Sequence, residues 1–124
     1  MKHNMVSWFE IPVNDMDRAK AFYEAVFEIK IDIQDFGGTL MGWFPFEENK
    51  PGAAGTLIKQ DSYVPSQEGT LVYFNCDDVA NEISRVEAAG GNVIQSKTEI
   101  SPEHGCMGVF IDTEGNRVAL HSNK

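Results

Sequence analysis

Residues 6–27 read VSWFEIPVNDMDRAKAFYEAVF and contain the pattern that decides the fold. The opening run VSWFEIPV is mostly apolar, aromatic or β-branched, which favours a β-strand. Asn14 and Asp15 are residue types that cap helices, and from Met16 onward apolar side chains recur at the spacing of one helix face. The segment therefore predicts a strand followed by an amphipathic helix that covers a sheet.

The same pattern returns 63 residues later, in LVYFNCDDVANEISRVEAAGGNVI at 71–94. Trp8 then aligns with Leu71, and the capping Asp15 aligns with Asp78. One offset relates the strand, the cap and the helix, and the paired glycines after the second helix supply a stop signal. The chain is therefore predicted to contain an internal repeat.

Three further strands are predicted after each helix, because apolar runs alternate with turn residues. The phrase MGWF at 41–44 is echoed by MGVF at 107–110, as expected for equivalent strands of two repeats. The predicted strands are 29–33, 39–46 and 55–59 in the first half and 92–98, 106–112 and 117–122 in the second. The run DTEGN at 112–116 predicts a tight turn, and the polar stretch 60–69 links the halves.

This organisation predicts an α+β fold of two βαβββ repeats, at about 6–59 and about 70–122. A single helix covers only one side of a four-stranded sheet, so each repeat alone leaves one sheet face bare. If the two bare faces curl toward each other, they form a cup-shaped mixed sheet with the helices outside. The length of 124 residues suits one domain over 1–124.

The composition argues against two classes of partner. With 19 acidic against 10 basic residues, the formal net charge is -9, which repels nucleic-acid phosphates and anionic membrane surfaces. No apolar run approaches the roughly 20 residues that a membrane-spanning helix needs, and the first residues lack the pattern of a signal peptide. We therefore expect a cytoplasmic protein that binds neither nucleic acid nor membranes.

The two cysteines, Cys76 and Cys106, are too few for a disulfide framework or a Cys-rich zinc site, so both are expected to be reduced. Cys76 shares its parity with Val72 and Phe74 in the run LVYFNC, which predicts a small buried apolar residue. Cys106 lies close to His104, and a reactive thiol stays an alternative there.

The double pattern resembles the vicinal oxygen chelate superfamily, which includes glyoxalases, bleomycin-resistance proteins and extradiol dioxygenases. The phrases that carry the resemblance are FEIPVNDMDRAKAFYEAVF at 9–27, VEAAGG at 86–91 and MGVFIDTEGNRVALHS at 107–122. Together they cover nearly the whole chain, and the last is similar to the ending of small bacterial single-domain members. The resemblance implies the cup fold, a small-molecule site in the cup and assembly as a homodimer.

The resemblance also implies where a metal ion would bind, since metal-dependent members use His and Glu at four sheet positions. Matched by motif, these positions are Trp8, Leu71, Ala119 and one residue of 56–59. Indole, alkyl and methyl groups offer no usable lone pair to a divalent ion, and neither does a protonated Lys. We therefore expect no metal ion and no other cofactor, and chemistry that depends on the ion is not implied.

Strand alternation places further side chains beside those four positions on the concave face. The predicted ligand-binding residues are Trp8, Glu10, Trp43, Tyr73, Asn75, Arg117 and His121. Aromatic rings mixed with charged, amide and imidazole groups suit a small organic ligand better than a sealed core. Glu10 and His121 are the catalytic candidates if the protein is an enzyme.

The environment of Glu10 has two interpretations. A carboxylate in an apolar first strand costs several kcal/mol to bury unpaired. Glu10 therefore pairs with Arg117 or His121, or it contacts solvent or a ligand.

The leading hypothesis for function is a metal-independent protein that binds a small organic molecule in the cup, and either sequesters it or acts on it. The first alternative is a metal-dependent lyase, isomerase or dioxygenase with ligands displaced to Glu10 and His121, assisted by Glu103 or His104. The second is a non-catalytic interaction module whose cup is filled by aromatic side chains.

Overall fold

The computed structural model describes all 124 residues and shows two halves with the same order of elements. The first half contains β1 (Glu10–Pro12), α1 (Met16–Phe27), β2 (Asp32–Phe36), β3 (Thr39–Trp43) and β4 (Thr56–Lys59). The second half contains β5 (Tyr73–Asn75), α2 (Val79–Val86), β6 (Asn92–Ser101), β7 (Gly105–Ile111) and β8 (Arg117–Ser122). The predicted α+β fold of two βαβββ repeats is confirmed. Neither helix has the length and apolar character that crossing a bilayer requires.

Strand β2 lies further along the chain than the range 29–33 expected for it. Helix α1 ends at Phe27 and is capped by Glu28, whose backbone adopts the left-handed conformation, with φ 56° and ψ 49°. Ile31 is then buried, and its N–H donates to Oε2 of Glu24 at 2.8 Å. The apolar residues after the helix thus pack under the connection to the sheet. Their composition alone does not distinguish such a buried connection from a β-strand.

Helix α1 forms where a cap and an apolar stripe coincide. The side chain of Asp15 accepts a hydrogen bond from the N–H of Arg18 at 3.0 Å, which satisfies a free donor of the first turn. In α2 the side chain of Asp78 accepts from the N–H of Ala80 at the same distance of 3.0 Å. Each large apolar side chain that α1 buries stabilises the fold by about 2 kcal/mol. The buried residues of α1 are Met16, Ala19, Phe22, Tyr23 and Val26.

The strands form two four-stranded sheets of the same design. The order is β1-β4-β3-β2 in the first sheet and β5-β8-β7-β6 in the second. In each sheet the first pair is parallel and the others are antiparallel. Glu10 pairs with Thr56, and Tyr73 pairs with Ala119, so the repeat offset of 63 residues relates both members of the two pairs. The register of the two sheets is therefore equivalent.

One apolar core runs through both halves, and the two helices pack against each other. The ring of Phe22 in α1 lies 5.6 Å, between centroids, from that of Phe110 in β7. Arg85 of α2 donates from Nε to the carbonyl oxygen of Val26 at 2.7 Å. A cation therefore satisfies one of the free carbonyl groups at the end of α1.

A buried carboxylate, that of Glu114, joins the second half to the start of α1. Its side chain is 0% exposed. Oε1 accepts from the N–H of Asn14 at 2.9 Å and of Asp15 at 2.8 Å. Arg18 donates from Nε to Oε2 at 2.7 Å and from Nη2 to Oε1 at 2.9 Å. Burial alone would raise the pKa of Glu114, but the hydrogen bonds from Arg18 and the two N–H groups outweigh it and lower the pKa to about 2.

The same turn anchors further segments through Asp112 and Asn116. Tyr23 of α1 donates its hydroxyl to Oδ2 of Asp112 at 2.7 Å, and burial together with the charge of Asp112 raises the pKa of Tyr23 well above its usual value. Asn116 donates from Nδ2 to the carbonyl oxygen of Pro12 at 2.7 Å and accepts from the N–H of Ser66 at 3.1 Å. The turn thus fixes the end of β1 and the linker between the halves.

Glu114 should make the stability of the fold depend on pH. Its folded pKa of about 2 lies below the ordinary value of 4.5, so its stabilisation is complete well above pH 4.5 and is lost as the pH falls from about 4.5 through about 2. The full difference corresponds to about 3 kcal/mol. In urea unfolding followed by circular dichroism, the contribution of Glu114 should make the free energy of unfolding about 2 kcal/mol lower at pH 3 than at pH 7.

The matched variants are Glu114→Gln and Glu99→Gln, because Glu99 is an exposed carboxylate on β6. Glu114→Gln should lower the stability at pH 7 and remove that part of the pH dependence, whereas Glu99→Gln should behave as the wild type. Equal pH dependence in all three proteins would contradict the assignment.

Candidate functional site

We call the face of each sheet that is turned away from the helices its outer face. It carries the residues that the sequence analysis assigned to the concave face. Ile11 of β1 belongs to the core and Phe74 of β5 packs against it, so alternation places their neighbours Glu10 and Tyr73 on the outer faces. The outer face of the first sheet carries Trp8, Glu10 and Trp43, and that of the second carries Tyr73, Asn75, Arg117 and His121. All the residues predicted to contact a ligand therefore share these faces, and their contact with a ligand stays a prediction.

The edge strands β1 and β5 run beside each other without pairing. The rings of Phe9 and Phe74 lie 5.7 Å apart between centroids on the core side. The two strands belong to separate sheets and form no ladder with each other. We call the line along which these two edges meet the seam. The outer faces of both sheets adjoin there, with Glu10 on one side and Tyr73 on the other.

Aromatic rings cover part of the outer face of the first sheet. Trp8 and Trp43 have ring centroids 5.1 Å apart and planes inclined at 57°. Across the seam, Tyr73 is 49% exposed. Two buried polar atoms on the first sheet, Nε1 of Trp43 and Oγ1 of Thr56, have no hydrogen-bond partner. Unpaired buried polar atoms are uncommon, and Trp43 and Thr56 are direct neighbours in adjacent strands.

The register of the sheets identifies the fourth of the metal positions that the resemblance implies. Because Thr56 is related to Ala119 by the repeat offset, the position in β4 is Thr56. Trp8 packs against another indole, and Ala119 is fully buried. A single hydroxyl among indole, alkyl and methyl groups does not form a binding set for a divalent ion, so these residues do not fit the metal site of the metal-dependent members.

Glu10 and Arg117 are exposed and make no ion pair. Neither side chain forms a salt bridge or a side-chain hydrogen bond within the chain. Of the alternatives that the sequence left open for Glu10, the structure shows exposure to solvent and no pairing with Arg117 or His121. The carboxylate of Glu10 is exposed to water at the open face. It therefore avoids the cost of burial and needs no partner within the chain.

His121 is tied to the loop before β7. Its Nε2 lies 2.6 Å from the carbonyl oxygen of His104. A carbonyl oxygen only accepts, so Nε2 carries the proton and Nδ1 is left as an acceptor in the neutral ring. His104 in turn bonds to Ser101 through its ring and its N–H. No three His, Cys, Asp or Glu side chains lie close enough within the chain to hold a metal ion. Glu10 and His121 are therefore not part of such a ligand group.

A pocket of about 320 Å³ opens at the seam. Its charged residues are Glu10 and Arg117, and the apolar wall includes Phe9, Val72 and Val118. The other predicted ligand-binding residues, Trp8, Trp43, Tyr73, Asn75 and His121, lie on the outer faces but do not line this pocket. The structure therefore brings only two members of the predicted set together in one cavity.

The linker supplies pocket residues that sequence reasoning missed. Val64, Ser66, Gly69 and Thr70 complete the wall. Ser66 is held there because its carbonyl oxygen accepts from the N–H of Arg117 at 3.4 Å. Pro65 and Gly69 signalled a break in regular structure, but no sequence pattern indicated that the linker returns to β8.

The unpaired hydroxyl of Thr56 gives a test by stability. Thr56→Val keeps the shape of the side chain and removes a buried polar atom without a partner, so the free energy of unfolding should rise by about 1 kcal/mol. Thr39→Val is the matched control, because Oγ1 of Thr39 bonds to Oε1 of Gln60 at 3.2 Å. Urea unfolding should show a gain for Thr56→Val alone. A loss of stability would mean that the hydroxyl of Thr56 has a partner.

The two cysteines should differ in reactivity. Burial, followed by the charge of Glu82 and a hydrogen bond to it, raises the pKa of Cys76 to about 12, so at pH 8 only about one molecule in ten thousand carries the Cys76 thiolate. Iodoacetamide at pH 8, followed by mass spectrometry, should therefore modify Cys106 first. Cys106→Ser should abolish the fast reaction and Cys76→Ser should leave it unchanged; the reverse pattern would refute the assignment.

Comparison with known proteins identifies the family. The model of the Glyoxalase/Bleomycin resistance protein/Dioxygenase superfamily matches residues 5–120. A glyoxylase-like domain-containing protein from Didymella fabae is 29% identical over 124 residues, which is 95% of this chain and 93% of that protein.

Solved structures share the fold at low identity. A mutant of glyoxalase I from Zea mays matches with a TM-score of 0.74 and 17% identity, over 94% of this chain and 46% of the maize chain, so this chain spans about half its length. TnmS3, an antibiotic binding protein from Streptomyces sp. CB03234, matches with a TM-score of 0.68 and 22% identity, over 100% of this chain and 99% of that one. With the family model covering almost the whole chain, this protein belongs to the Glyoxalase/Bleomycin resistance protein/Dioxygenase superfamily.

Proposed function

We propose that this chain binds a small organic molecule on its outer faces without a metal ion. The observation that carries the proposal is the composition of the surface beside the seam: a tryptophan pair, a half-exposed tyrosine, and a carboxylate and a guanidinium that pair with nothing in the chain. A sealed core would not leave such groups open, whereas a ligand site combines apolar rings with a few polar groups.

The side chains divide into two roles. Trp8, Trp43 and Tyr73 provide rings on which a planar ligand stacks, and each such contact contributes about 1 kcal/mol. Glu10 and Arg117 fix the orientation of the ligand through charge. Asn75 and His121 add hydrogen-bonding groups at the edge of the second sheet, and His121 accepts through Nδ1.

The comparison with TnmS3 supports the same class of function. That protein is an antibiotic binding protein, and it covers the full length of this chain with the same fold. A relative that binds an organic molecule on this fold makes sequestration a natural role for this chain. The proposal that no metal ion takes part rests on the four positions where metal-dependent members carry their ligands. None of these residues is a His or a carboxylate; they are Trp8, Leu71, Thr56 and Ala119.

Two alternatives are less well supported by the geometry. The metal-dependent enzyme needs Glu10 and His121 to act as ligands together with further groups, but no three His, Cys, Asp or Glu side chains lie close enough in the chain to hold a metal ion. The interaction module needs a face that is filled by aromatic side chains, and the open pocket at the seam argues against it. If the protein is an enzyme, Glu10 is the candidate proton acceptor.

We also propose a homodimer in the cytoplasm. Each chain leaves the outer faces of both sheets without a covering layer, and a second copy can cover the parts of them that do not contact the ligand. Sedimentation equilibrium should give twice the chain mass, and a monomer at micromolar concentration would exclude the dimer.

Intrinsic fluorescence tests the proposed site directly. The chain contains 2 tryptophans, Trp8 and Trp43, and both lie on the outer face of the first sheet. Titration with planar aromatic acids and amines of one to three rings should quench the emission at a saturating ligand concentration.

Two half-exposed tyrosines form a matched pair for this titration. Tyr73 is 49% exposed on the outer face, and Tyr63 is 40% exposed in the linker. Tyr73→Ala should weaken binding about tenfold, which corresponds to about 1.4 kcal/mol, and Tyr63→Ala should leave it unchanged. Failure of every compound to quench, or equal loss in both variants, would refute the proposed site.

A further inference from the structure

We propose that the pocket at the seam binds the zwitterionic head of an α-amino acid, with the ammonium on Glu10 and the carboxylate on Arg117. The inference rests on the proposed function, since it assigns the ligand class of the same site. It follows from three features of the pocket: two opposite charges that do not meet, an apolar wall, and a volume that suits a small molecule.

The two charges define the ligand. Among the residues that line the pocket, only Glu10 and Arg117 are charged. The side chains lie on opposite sides of the seam, and no carboxylate oxygen of Glu10 approaches a guanidinium nitrogen of Arg117 within 4.0 Å. An α-amino acid carries an ammonium and a carboxylate group on the same carbon. It can therefore bridge Glu10 and Arg117, whose charges remain apart.

Ligands with one charge are disfavoured by the same pair. An anion that binds Arg117 is repelled by Glu10, and a cation that binds Glu10 is repelled by Arg117. Two like charges at about 4 Å cost between about 1 and about 4 kcal/mol, depending on how much water remains. Discrimination therefore comes from repulsion as well as attraction, and only a zwitterion satisfies both residues. Arg is suited to this task because its planar guanidinium binds a carboxylate through two parallel hydrogen bonds.

The rest of the wall suits an apolar side chain. Phe9, Ile11, Val64, Val72 and Val118 line the pocket beside the two charges. Asn116 also lines it, but its amide is already engaged with Pro12 and Ser66, so it serves as a fixed wall. A volume of about 320 Å³ is at the lower end of small-molecule pockets and fits one amino acid.

Calorimetric titration with L-leucine tests the inference, because leucine has no ring to stack on the tryptophans or on Tyr73. N-acetyl-L-leucine lacks the ammonium, and L-leucinamide lacks the carboxylate. L-Leucine should bind at least fivefold more tightly than either derivative, which corresponds to about 1 kcal/mol. Equal affinity for the three compounds, or no binding of leucine, would overturn the proposal.

Two variants exchange these preferences. Glu10→Gln should weaken binding of leucine about fivefold. It should strengthen binding of N-acetyl-L-leucine, because Glu10 no longer repels the carboxylate of that ligand. Arg117→Gln should weaken binding of leucine. It should strengthen binding of L-leucinamide, because Arg117 no longer repels the ammonium of that ligand. The controls are Glu99→Gln and Lys50→Gln, which change exposed charges outside the pocket and should bind all three compounds as the wild type does. Variants that lose all three ligands alike would overturn the charge assignment.

The outcomes separate this inference from the proposed function. Suppose that aromatic compounds quench the tryptophan fluorescence and bind more weakly to Tyr73→Ala, but leucine does not bind. The amino-acid inference then fails and the small-molecule site stands. If neither leucine nor any aromatic compound binds, both fail. Circular dichroism and thermal unfolding of each variant confirm that a loss of binding does not come from unfolding.

Discussion

The buried carboxylate of Glu114 is the contact on which the arrangement of the two halves depends. An unpaired carboxylate in that position would cost several kcal/mol, so it is stable only where its hydrogen bonds are satisfied. The two N–H groups that precede α1 and the guanidinium of Arg18 satisfy them together. Because these donors belong to one half and the carboxylate to the other, the bonds hold the second half against the start of α1. The apolar contact between the helices alone would tolerate small rotations.

The geometry of the candidate site follows from that contact. The turn that holds Glu114 also holds Asn116, which fixes the end of β1 through the carbonyl oxygen of Pro12 and the linker through the N–H of Ser66. Pro12 and Asn116 themselves line the pocket. Proline at the edge of β1 lacks an N–H, and Asn116 occupies its carbonyl oxygen, so this edge is protected from pairing with another strand. The seam is therefore held open as a pocket.

The sequence predicts well what depends on local periodicity and on the repeat. The two helices, their Asp caps and the faces on which Glu10 and Tyr73 lie all follow from spacing and one offset. What sequence reasoning missed depends on contacts between distant residues: DTEGN was recognised as a turn, but the bond from Arg18 to Glu114 spans 96 positions, and no local pattern reports it. The same limit applies to Glu10: the sequence left open whether it pairs with Arg117 or His121 or contacts solvent, and only the arrangement of the two sheets shows that it is exposed.

Equivalent positions of the repeat carry different chemistry on the outer faces of the two sheets. Glu10 is equivalent to Tyr73, and Thr56 to Ala119, with the same backbone register in both sheets. A symmetric pair of carboxylates would repel each other across the seam. One carboxylate opposite one phenol gives these two equivalent positions different charge. Since the framework contacts lie on the helix side, the outer faces can differ in this way without loss of the shared fold.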